Sequence, residues 1–379
     1  VVTDTTQALG DLARLRRDDF IGTMIAVTGS TGKTSVKESI AAILRHTGSV
    51  HATAGNFNNH IGVPLTLLSM DSDTDIAVIE MGASAAGEIA YLCDIARPDI
   101  VLINNVQSSH IEGFGSVEGI AAAKGEIYSG LEPSGTAVLN LDELWCDQWR
   151  ALIAGKNLIT YSLANTDADL CARDPQILGD GCYQFILCIA AIAGRPACEQ
   201  PIRLSVPGAH QINNALAASA CGLAAGASVE QIANGLGSLS AVAGRLEIKQ
   251  TASGVTVIDD SYNASPSSFE VAIDVLANYP GRRVLVMGDM AELGDDSASL
   301  HSQVGLYAQQ VGIDAFYSLG SLSAHASQAF GGMHFAQRDL LTDALTHELS
   351  LGPVSFLIKG SRSAQMEQTV EMLLTRGSV

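Results

Sequence analysis

Thr28-Gly29-Ser30-Thr31-Gly32-Lys33-Thr34 joins the apolar run Met24-Ile25-Ala26-Val27 to a segment that reads as a helix from about Ser35 to His46. A strand, a glycine-bearing loop and a helix in this order form a turn suited to holding the phosphates of a nucleotide. Glycines let successive backbone N–H groups converge on phosphate oxygens, and the helix N-terminus adds the positive end of its dipole. Lys33 reaches the terminal phosphates, and Thr34 offers a hydroxyl to Mg²⁺. The loop is not the full G-x-x-x-x-G-K-[ST] pattern, because Val27 stands where the first glycine belongs, and the shorter G-x-x-G-K-T remains. A GKT tripeptide also occurs in plain turns, so it is the strand before it and the helix after it that favour phosphate binding.

The rest of the composition fits an enzyme. A chain of 379 residues predicts two or three domains, and 47% hydrophobic residues supply large cores. Lys+Arg 21 against Asp+Glu 40 gives a net charge of −19, which repels polyanions and excludes a basic footprint for nucleic acid. No run of about twenty apolar residues is present, so no membrane insertion is expected. The seven cysteines (93, 146, 171, 182, 188, 198 and 221) are scattered without C-x-x-C pairs. They read as reduced thiols in a cytoplasmic protein rather than a zinc site or disulfide framework. Val1-Val2-Thr3-Asp4-Thr5-Thr6 is neither a signal peptide nor a start at Met, so processing, or a segment before Val1, is expected.

Apolar strand-like runs alternate with helical segments along the chain, with no internal repeat. Ile76–Ile79, Ile100–Ile103 and Ala137–Leu139 are short, apolar and followed by polar residues, as in buried parallel sheets, and their polar ends should line the ligand crevice. From about Asp142 to Pro207 the signals weaken, and an irregular, partly antiparallel excursion is expected. An alanine-rich helix resumes from about Gln211 to Gly226. A second alternation starts near Gly254, with strands at Val255–Ile258, Arg283–Met287 and Phe356–Ile358 and helices near Ser267–Asn278 and His301–Val311. The fold class is therefore α/β: a central P-loop ATPase-type domain with a mainly parallel sheet, then a smaller Rossmann-like, doubly wound C-terminal domain. Ser240-Ala241-Val242-Ala243-Gly244-Arg245 is the expected hinge, between a central domain at residues 21–240 and a C-terminal domain at 241–379.

Three residues beyond the loop are candidates for chemistry. Glu80 closes the strand ending at Ile79, where an acid takes Mg²⁺ or is simply solvated. His110 follows the strand ending at Ile103, and a lone histidine is more often structural than a ligand. Lys124 lies in Gly119–Tyr128, an amphipathic helix in which a lysine ordinarily faces solvent. Spacing alone lifts neither His110 nor Lys124 above these bland readings.

The order of the pieces does. The chain resembles the Mur ligases: Thr28–Thr34 matches the family's T-G-[ST]-x-G-K-T loop, which accounts for the missing glycine. Further family-like stretches are Gly55-Asn56-Phe57-Asn58-Asn59-His60-Ile61-Gly62-Val63-Pro64, Glu80-Met81-Gly82-Ala83-Ser84 with Gly87-Glu88-Ile89, and His110-Ile111-Glu112-Gly113-Phe114. Then follow Asp259-Asp260-Ser261-Tyr262-Asn263-Ala264-Ser265-Pro266, Gly288-Asp289-Met290-Ala291-Glu292-Leu293-Gly294 and Lys359-Gly360-Ser361-Arg362. The resemblance covers essentially the whole chain, and Asn56–Pro64 with Gly288–Gly294 favours the member of the family that adds a dipeptide. It also implies an N-terminal UDP-binding domain, of which only the trailing linker, about Val1 to Phe20, precedes the central domain here.

The resemblance implies ATP, two Mg²⁺ ions, and UDP-MurNAc-tripeptide and D-Ala-D-Ala as small-molecule substrates of a cytoplasmic monomer. Gly29, Ser30, Thr31, Gly32 and Lys33 would hold the ATP phosphates. Thr34 and Glu80 would hold one Mg²⁺, and Glu80, His110 and Lys124 would surround a second. In several relatives the lysine at the Lys124 position is carbamylated, which turns a cation that repels Mg²⁺ into an anion that attracts it. Gly208-Ala209-His210-Gln211-Ile212-Asn213-Asn214 resembles the G-x-H-N-x-x-N adenine site, with Gln211 in place of Asn and Asn214 as the second amide. Arg245 would touch the γ-phosphate, Asp260 the nucleotide, and Asn56, Asn59, Ser84, Tyr262 and Asn263 the substrate. Ser265 stands where the family usually has Asn.

The implied reaction is ATP-driven amide formation: a carboxylate attacks the γ-phosphate, giving an acyl phosphate and ADP, and the dipeptide amine then displaces phosphate. Lys33, Arg245 and Mg²⁺ would neutralise the charge on the transferred group. Closure of the C-terminal domain would keep water from the acyl phosphate. Two alternatives remain at this point: another ligase of the superfamily, tripeptide-forming or folylpolyglutamate-type, or a nucleotide-binding module without ligase activity.

Overall fold

The computed structural model describes residues 1–107, 111–192, 194–251 and 253–377. The chain divides into two compact units. The first comprises 1–178, 182–205 and 209–239, and the second 179–181, 206–208 and 240–379.

The first unit contains α1 (Thr5–Asp18), β1 (Thr23–Thr28), α2 (Lys33–Leu44), β2 (Val50–Ala52), α3 (Gly62–Leu68), β3 (Ile76–Glu80), α4 (Glu88–Ala96) and β4 (Ile100–Ile103). It continues through α5 (Ile111–Phe114), α6 (Val117–Ser129), β5 (Thr136–Asn140), α7 (Cys146–Ile153), β6 (Asn157–Ser162), β7 (Leu170–Ile177), β8 (Tyr183–Ile189), β9 (Cys198–Arg203), α8 (His210–Ala224) and α9 (Val229–Gly237). The strands form one nine-stranded sheet in the order β2-β3-β1-β4-β5-β6-β7-β8-β9. Pairing is parallel as far as β7, and β8 and β9 are antiparallel.

The period-2 alternation of the strands explains the two cores. Ile25, Val27, Val78, Leu102 and Val138 point to the face covered by α2, α8 and α9, while Met24, Ala26, Ile79, Ile103 and Leu139 point to the face that also takes in Ala13, Leu67, Leu92 and Ile127. A strand buried on both faces needs apolar residues at every position, which is why these runs are uninterrupted. Helix α1, in the stretch expected as linker, starts at Asp4, whose carboxylate accepts from the N–H groups of Thr6 (2.8 Å) and Gln7 (3.0 Å). At the other end of the unit, Ser228 and Gln231 form a capping box that starts α9. Glycine is required at position 235, since a Cβ there would lie 2.5 Å from Ile43 Cα and 2.6 Å from Ile43 N.

One expectation needs correction. The segment from Asp142 to Pro207 is not an irregular excursion but a continuation of the same sheet. Strands β6 and β7 extend it in parallel, and only β8 and β9 turn antiparallel, as anticipated in part. Toward this end of the sheet β7, β8 and β9 are only partly buried, so their residues mix polar with apolar and lose the continuous signal of the central strands. In β7 only the first two residues are buried.

The second unit contains β10 (Glu247–Gln250), β11 (Thr256–Asp260), α10 (Pro266–Ala277), β12 (Arg282–Gly288), α11 (Ser297–Val311), β13 (Ala315–Leu319), α12 (Ser323–Phe330), β14 (Met333–Phe335), α13 (Arg338–Leu349), β15 (Val354–Lys359) and α14 (Glu367–Arg376). Its six-stranded sheet has the order β10-β11-β15-β12-β13-β14, parallel except for β10. Helices cover both faces, as in a doubly wound domain. Ser265, in place of the family's usual Asn, caps α10 in a capping box with Ser268.

Candidate active site

Gly32 is the N-cap residue of α2, in left-handed conformation (φ 74°), and no side chain caps the helix. An uncapped N-terminus keeps its orphan N–H groups for another acceptor, and at this loop an anion fits. The loop itself is rigidly mounted. Ser30 N–H donates to Asn105 O (2.9 Å), Thr31 N–H to Asn105 Oδ1 (2.9 Å), and Asn105 Nδ2 donates back to Thr31 O (3.0 Å). Lys33 Nζ curls over the loop to Gly29 O (2.7 Å) and Ser30 O (3.1 Å), and helix α2 begins at Lys33, two residues earlier than the sequence suggests.

Thr34 Oγ1 donates to Glu80 Oε2 at 2.8 Å. The pairing follows from topology: β3 lies beside β1 with Val27 level with Glu80, so the acid stands next to the start of the loop. Glu80 is 2% exposed, its second oxygen takes an N–H of Asn58 (2.8 Å), and its backbone N–H donates to Thr53 Oγ1 (2.9 Å). Lys37 Nζ in turn holds Thr53 O at 2.6 Å. A hydroxyl and a carboxylate side by side, both oxygen donors in a buried place, fit a hard divalent cation that completes its shell with water and phosphate. Among the described residues no group of three His, Cys, Asp or Glu side chains converges.

The ordinary reading of Lys124 as a solvated helix residue is overturned. It is 3% exposed and its Nζ donates to Gly29 O at 3.0 Å. Burial, and then the neighbouring Lys33 charge, push its pKa down to about 7. Amphipathicity misled here because α6 buries small residues nearly all round: Ala121, Ala123 and Gly125 flank the lysine. His110 lies outside the described residues.

Gln211 and Asn214 are both buried at the start of α8, and Asn214 Nδ2 donates to Gln211 Oε1 (3.0 Å). Asn56 is exposed. Asn59 is also exposed, and its Oδ1 accepts from Ile61 N (3.1 Å) and Gly62 N (2.9 Å), starting α3. Ser84 is exposed, with its backbone N–H held by Glu88 Oε2 (2.7 Å). In the second unit, Arg245 lies over the Tyr262 ring, 4.3 Å from its centroid. Asp260 Oδ2 takes Lys359 Nζ at 2.6 Å, and Asn263, exposed, gives its carbonyl to the same ammonium (2.9 Å).

Thr53, Asn58, Asn104 and Asn105 escaped the reading of the sequence. The last two directly follow β4, where polar strand-end residues were expected to line the crevice, and that signal singles them out.

A phosphate loop paired with a strand-end acid, on a sheet followed by a doubly wound second unit, defines a nucleotide-dependent α/β enzyme. The description "Mur ligase middle domain" matches residues 27–222, and "Mur ligase, glutamate ligase domain" matches residues 244–362. The chain belongs to the Mur ligase family. It is 43% identical to the UDP-N-acetylmuramoyl-tripeptide--D-alanyl-D-alanine ligase of Escherichia coli (strain K12), over 100% of this chain and 82% of that one. A crystal structure of MurF from Acinetobacter baumannii superimposes with a TM-score of 0.91 at 33% identity, covering 99% of this chain and 82% of that one. The MurF ligase from Thermotoga maritima in complex with ADP gives a TM-score of 0.85 at 29% identity, covering 99% and 85%.

Proposed function

We propose that the first unit of this chain binds ATP through the residues around Gly32 and activates a carboxylate for amide formation. The chain is an ATP-dependent, ADP-forming ligase of peptidoglycan precursor synthesis, and it joins D-alanyl-D-alanine to UDP-N-acetylmuramoyl-tripeptide. The observation that carries this reading is identity of 43% sustained across the whole chain. The Thr34–Glu80 contact beside the phosphate loop supports it independently.

Gly29, Ser30, Thr31 and Gly32 shape the loop that holds the phosphates at the start of α2, with the N–H groups of Ser30 and Thr31 engaged by Asn105, and Lys33 swings from its carbonyl contacts to the terminal phosphate. Thr34 and Glu80 would hold Mg²⁺. A bound Mg²⁺ supplies charge neutralisation on the β- and γ-phosphate oxygens. Asn58 keeps the Glu80 carboxylate turned toward Thr34, Thr53 holds the Glu80 backbone N–H, and Lys37 keeps Thr53 in place. Gln211 and Asn214 read the adenine.

A free carboxylate is a poor electrophile, so the tripeptide carboxylate first takes the γ-phosphoryl group and ADP leaves. The dipeptide amine then attacks the acyl carbon, phosphate departs, and an amide remains. Lys33 and Arg245 offset charge on the transferred group. Asp260 meets the nucleotide, and Asn56, Asn59, Ser84, Tyr262 and Asn263 meet the peptide substrates. His110, Lys124 and Glu80 would hold a second Mg²⁺, with Lys124 carbamylated. A pKa near 7 supports that modification, because only the neutral amine adds CO₂.

The enzyme works in the cytoplasm as a monomer. The absence of C-x-x-C pairs among its seven scattered cysteines supports that compartment. Among the described residues no helix is long and apolar enough to cross a membrane. The test is ADP release across a substrate panel. Release must require both UDP-MurNAc-tripeptide and D-Ala-D-Ala, and equal turnover with a glutamate or diaminopimelate acceptor would assign the chain to another branch.

A further inference from the structure

Asn104, directly after β4, is 0% exposed and is buried against the phosphate loop. Its Nδ2 donates in two directions, to Thr31 O (3.1 Å) in the loop and to Asn214 Oδ1 (3.2 Å) on α8. Its Oδ1 is buried with no hydrogen-bond partner among the described residues. An unpaired buried acceptor is costly, and an apolar side chain of the same size would avoid the cost, so the residue is retained for its two N–H groups. The loop makes room for it: a Cβ on Gly32 would lie 2.8 Å from Asn104 Nδ2, and one on Gly29 3.2 Å from Asn104 Cβ. Its backbone is fixed as well, with its N–H on Thr28 O (2.9 Å) and Asn140 Nδ2 on its own carbonyl (3.4 Å).

The direction of this relay is set without ambiguity. A peptide carbonyl only accepts, so the Asn104 group that faces Thr31 O at 3.1 Å, beside Asn105 Nδ2 at 3.0 Å, is the NH₂, and the second N–H of that group requires an acceptor on α8. Asn214 must therefore present Oδ1 to Asn104, which leaves its Nδ2 to donate to Gln211 Oε1 (3.0 Å). After these bonds Asn214 keeps one lone pair on Oδ1 and one N–H on Nδ2. That acceptor and donor side by side complement the N6 amine and ring nitrogen of adenine. If the Asn214 amide turned over, the pair would be exchanged and would suit a 6-oxo purine instead.

We propose that Asn104 is a positioning residue that transmits the fixed polarity of the phosphate loop to the Asn214 carboxamide and so sets selectivity for a 6-amino over a 6-oxo purine. The proposal rests on the reading of Asn214 as an adenine contact. It assigns base discrimination to a residue that reaches the base only through another side chain.

Calorimetric titration of the 379-residue chain with ADP and with IDP tests it, in the parent, Asn104→Leu, Asn214→Ala and the double variant. The parent prefers ADP. In Asn104→Leu the amide of Asn214 is free to turn, so the preference falls roughly five- to tenfold, the equivalent of about one hydrogen bond. The double variant then discriminates no less than Asn214→Ala alone. Equal weakening of ADP and IDP in Asn104→Leu, or additive effects in the double variant, means that Asn104 only supports the loop, and the proposal falls. Unchanged preference in Asn214→Ala removes the adenine reading itself, and the relay falls with it. Should Asn104→Leu fail to fold by circular dichroism, Asn104→Ser, which donates one hydrogen bond and not two, is expected to show the same loss of preference in weaker form, and full parental preference in it overturns the proposal.

Discussion

Lys124 in the first unit and Lys359 in the second are equally buried, at 3% and 2% exposure, yet their surroundings are opposite. Lys359 is matched: Asp260 at 2.6 Å, the Asn263 carbonyl at 2.9 Å, and the Phe269 ring 5.4 Å from its ammonium. Among the described residues Lys124 has the Gly29 carbonyl as its hydrogen-bond partner and forms no ion pair, and the charge that acts on it is that of a second lysine, Lys33. The first is a buried charge whose partner is built into the fold. The second is a buried amine that the fold leaves uncompensated, which points to a partner arriving from outside.

The widest separation between the two should appear in stability. Lys359→Met strands Asp260 without its counter-ion and is expected to destabilise the second unit by about 3–5 kcal/mol. Lys124→Met abandons no charge, and the first unit should stay within about 1 kcal/mol of the parent. Trp145 and Trp149 both belong to the first unit, so fluorescence during urea denaturation follows that unit alone while circular dichroism follows both. Similar losses for the two variants would dissolve the contrast. In activity the order reverses: Lys124→Ala should lose ligation and recover part of it with short-chain carboxylates, and a fully active Lys124→Ala enzyme would leave the residue no role in catalysis.

Lys33→Ala sharpens the same contrast within one loop. ATP turnover should fall about a hundredfold or more with the circular dichroism spectrum unchanged if the side chain has the phosphate role proposed for it, since its ammonium contacts two loop carbonyls and not a core. Wild-type phosphate release from this variant would end the phosphate-loop reading.

A smaller effect is expected at a second built-in pair. Glu348 accepts from Arg282 Nη2 (2.9 Å) and Tyr317 Oη (2.6 Å), and the Arg282 hydrogen bond, followed by that of Tyr317, holds its carboxyl below the ordinary carboxylate value against the opposing effect of burial. A depressed pKa contributes stability that is present above the unfolded value and is lost as pH falls through the folded one. Glu348→Gln should therefore cost about 1–3 kcal/mol near neutrality, where Arg282 is partly exposed and screened, and the gap should close in acid. A gap that is constant with pH would mean that the loss is one of packing. Tyr262→Leu removes only the ring beneath Arg245 and should cost about 0.5–1 kcal/mol, read as a small shift in the same denaturation curves.

The central strands and the phosphate loop were legible because one local rule governs each of them. Burial on both faces makes β1, β3 and β4 continuously apolar, and a loop that holds phosphate needs its glycines and Lys33 adjacent in sequence. The weak points lie where burial is partial or the deciding partner is remote. β7 pairs with its near neighbours β6 and β8, yet most of its residues are exposed, so its run lacks the continuous apolar signal of a central strand. Lys124 looks exposed until the 95-residue separation from Gly29 is closed by folding. Asn104 and Asn214 stand 110 residues apart. The resemblance pointed to Asn214, whereas Asn104 acquires meaning only from the unpaired oxygen that folding creates.

Gly235 places the backbone of α9 directly on that of α2, and Gln231 Nε2 holds the chain just past the end of α2 through His46 O at 2.7 Å. In mechanical terms α2 is a mount and not a piston: the helix whose N-terminus faces the loop has no sliding clearance along α9. Work done by loss of the γ-phosphate must therefore pass through the loop's own contacts with Asn104 and Asn105. Hydrogen exchange along α2 should be the same with ADP and with a non-hydrolysable ATP analogue, while exchange in residues 104–107 changes between them.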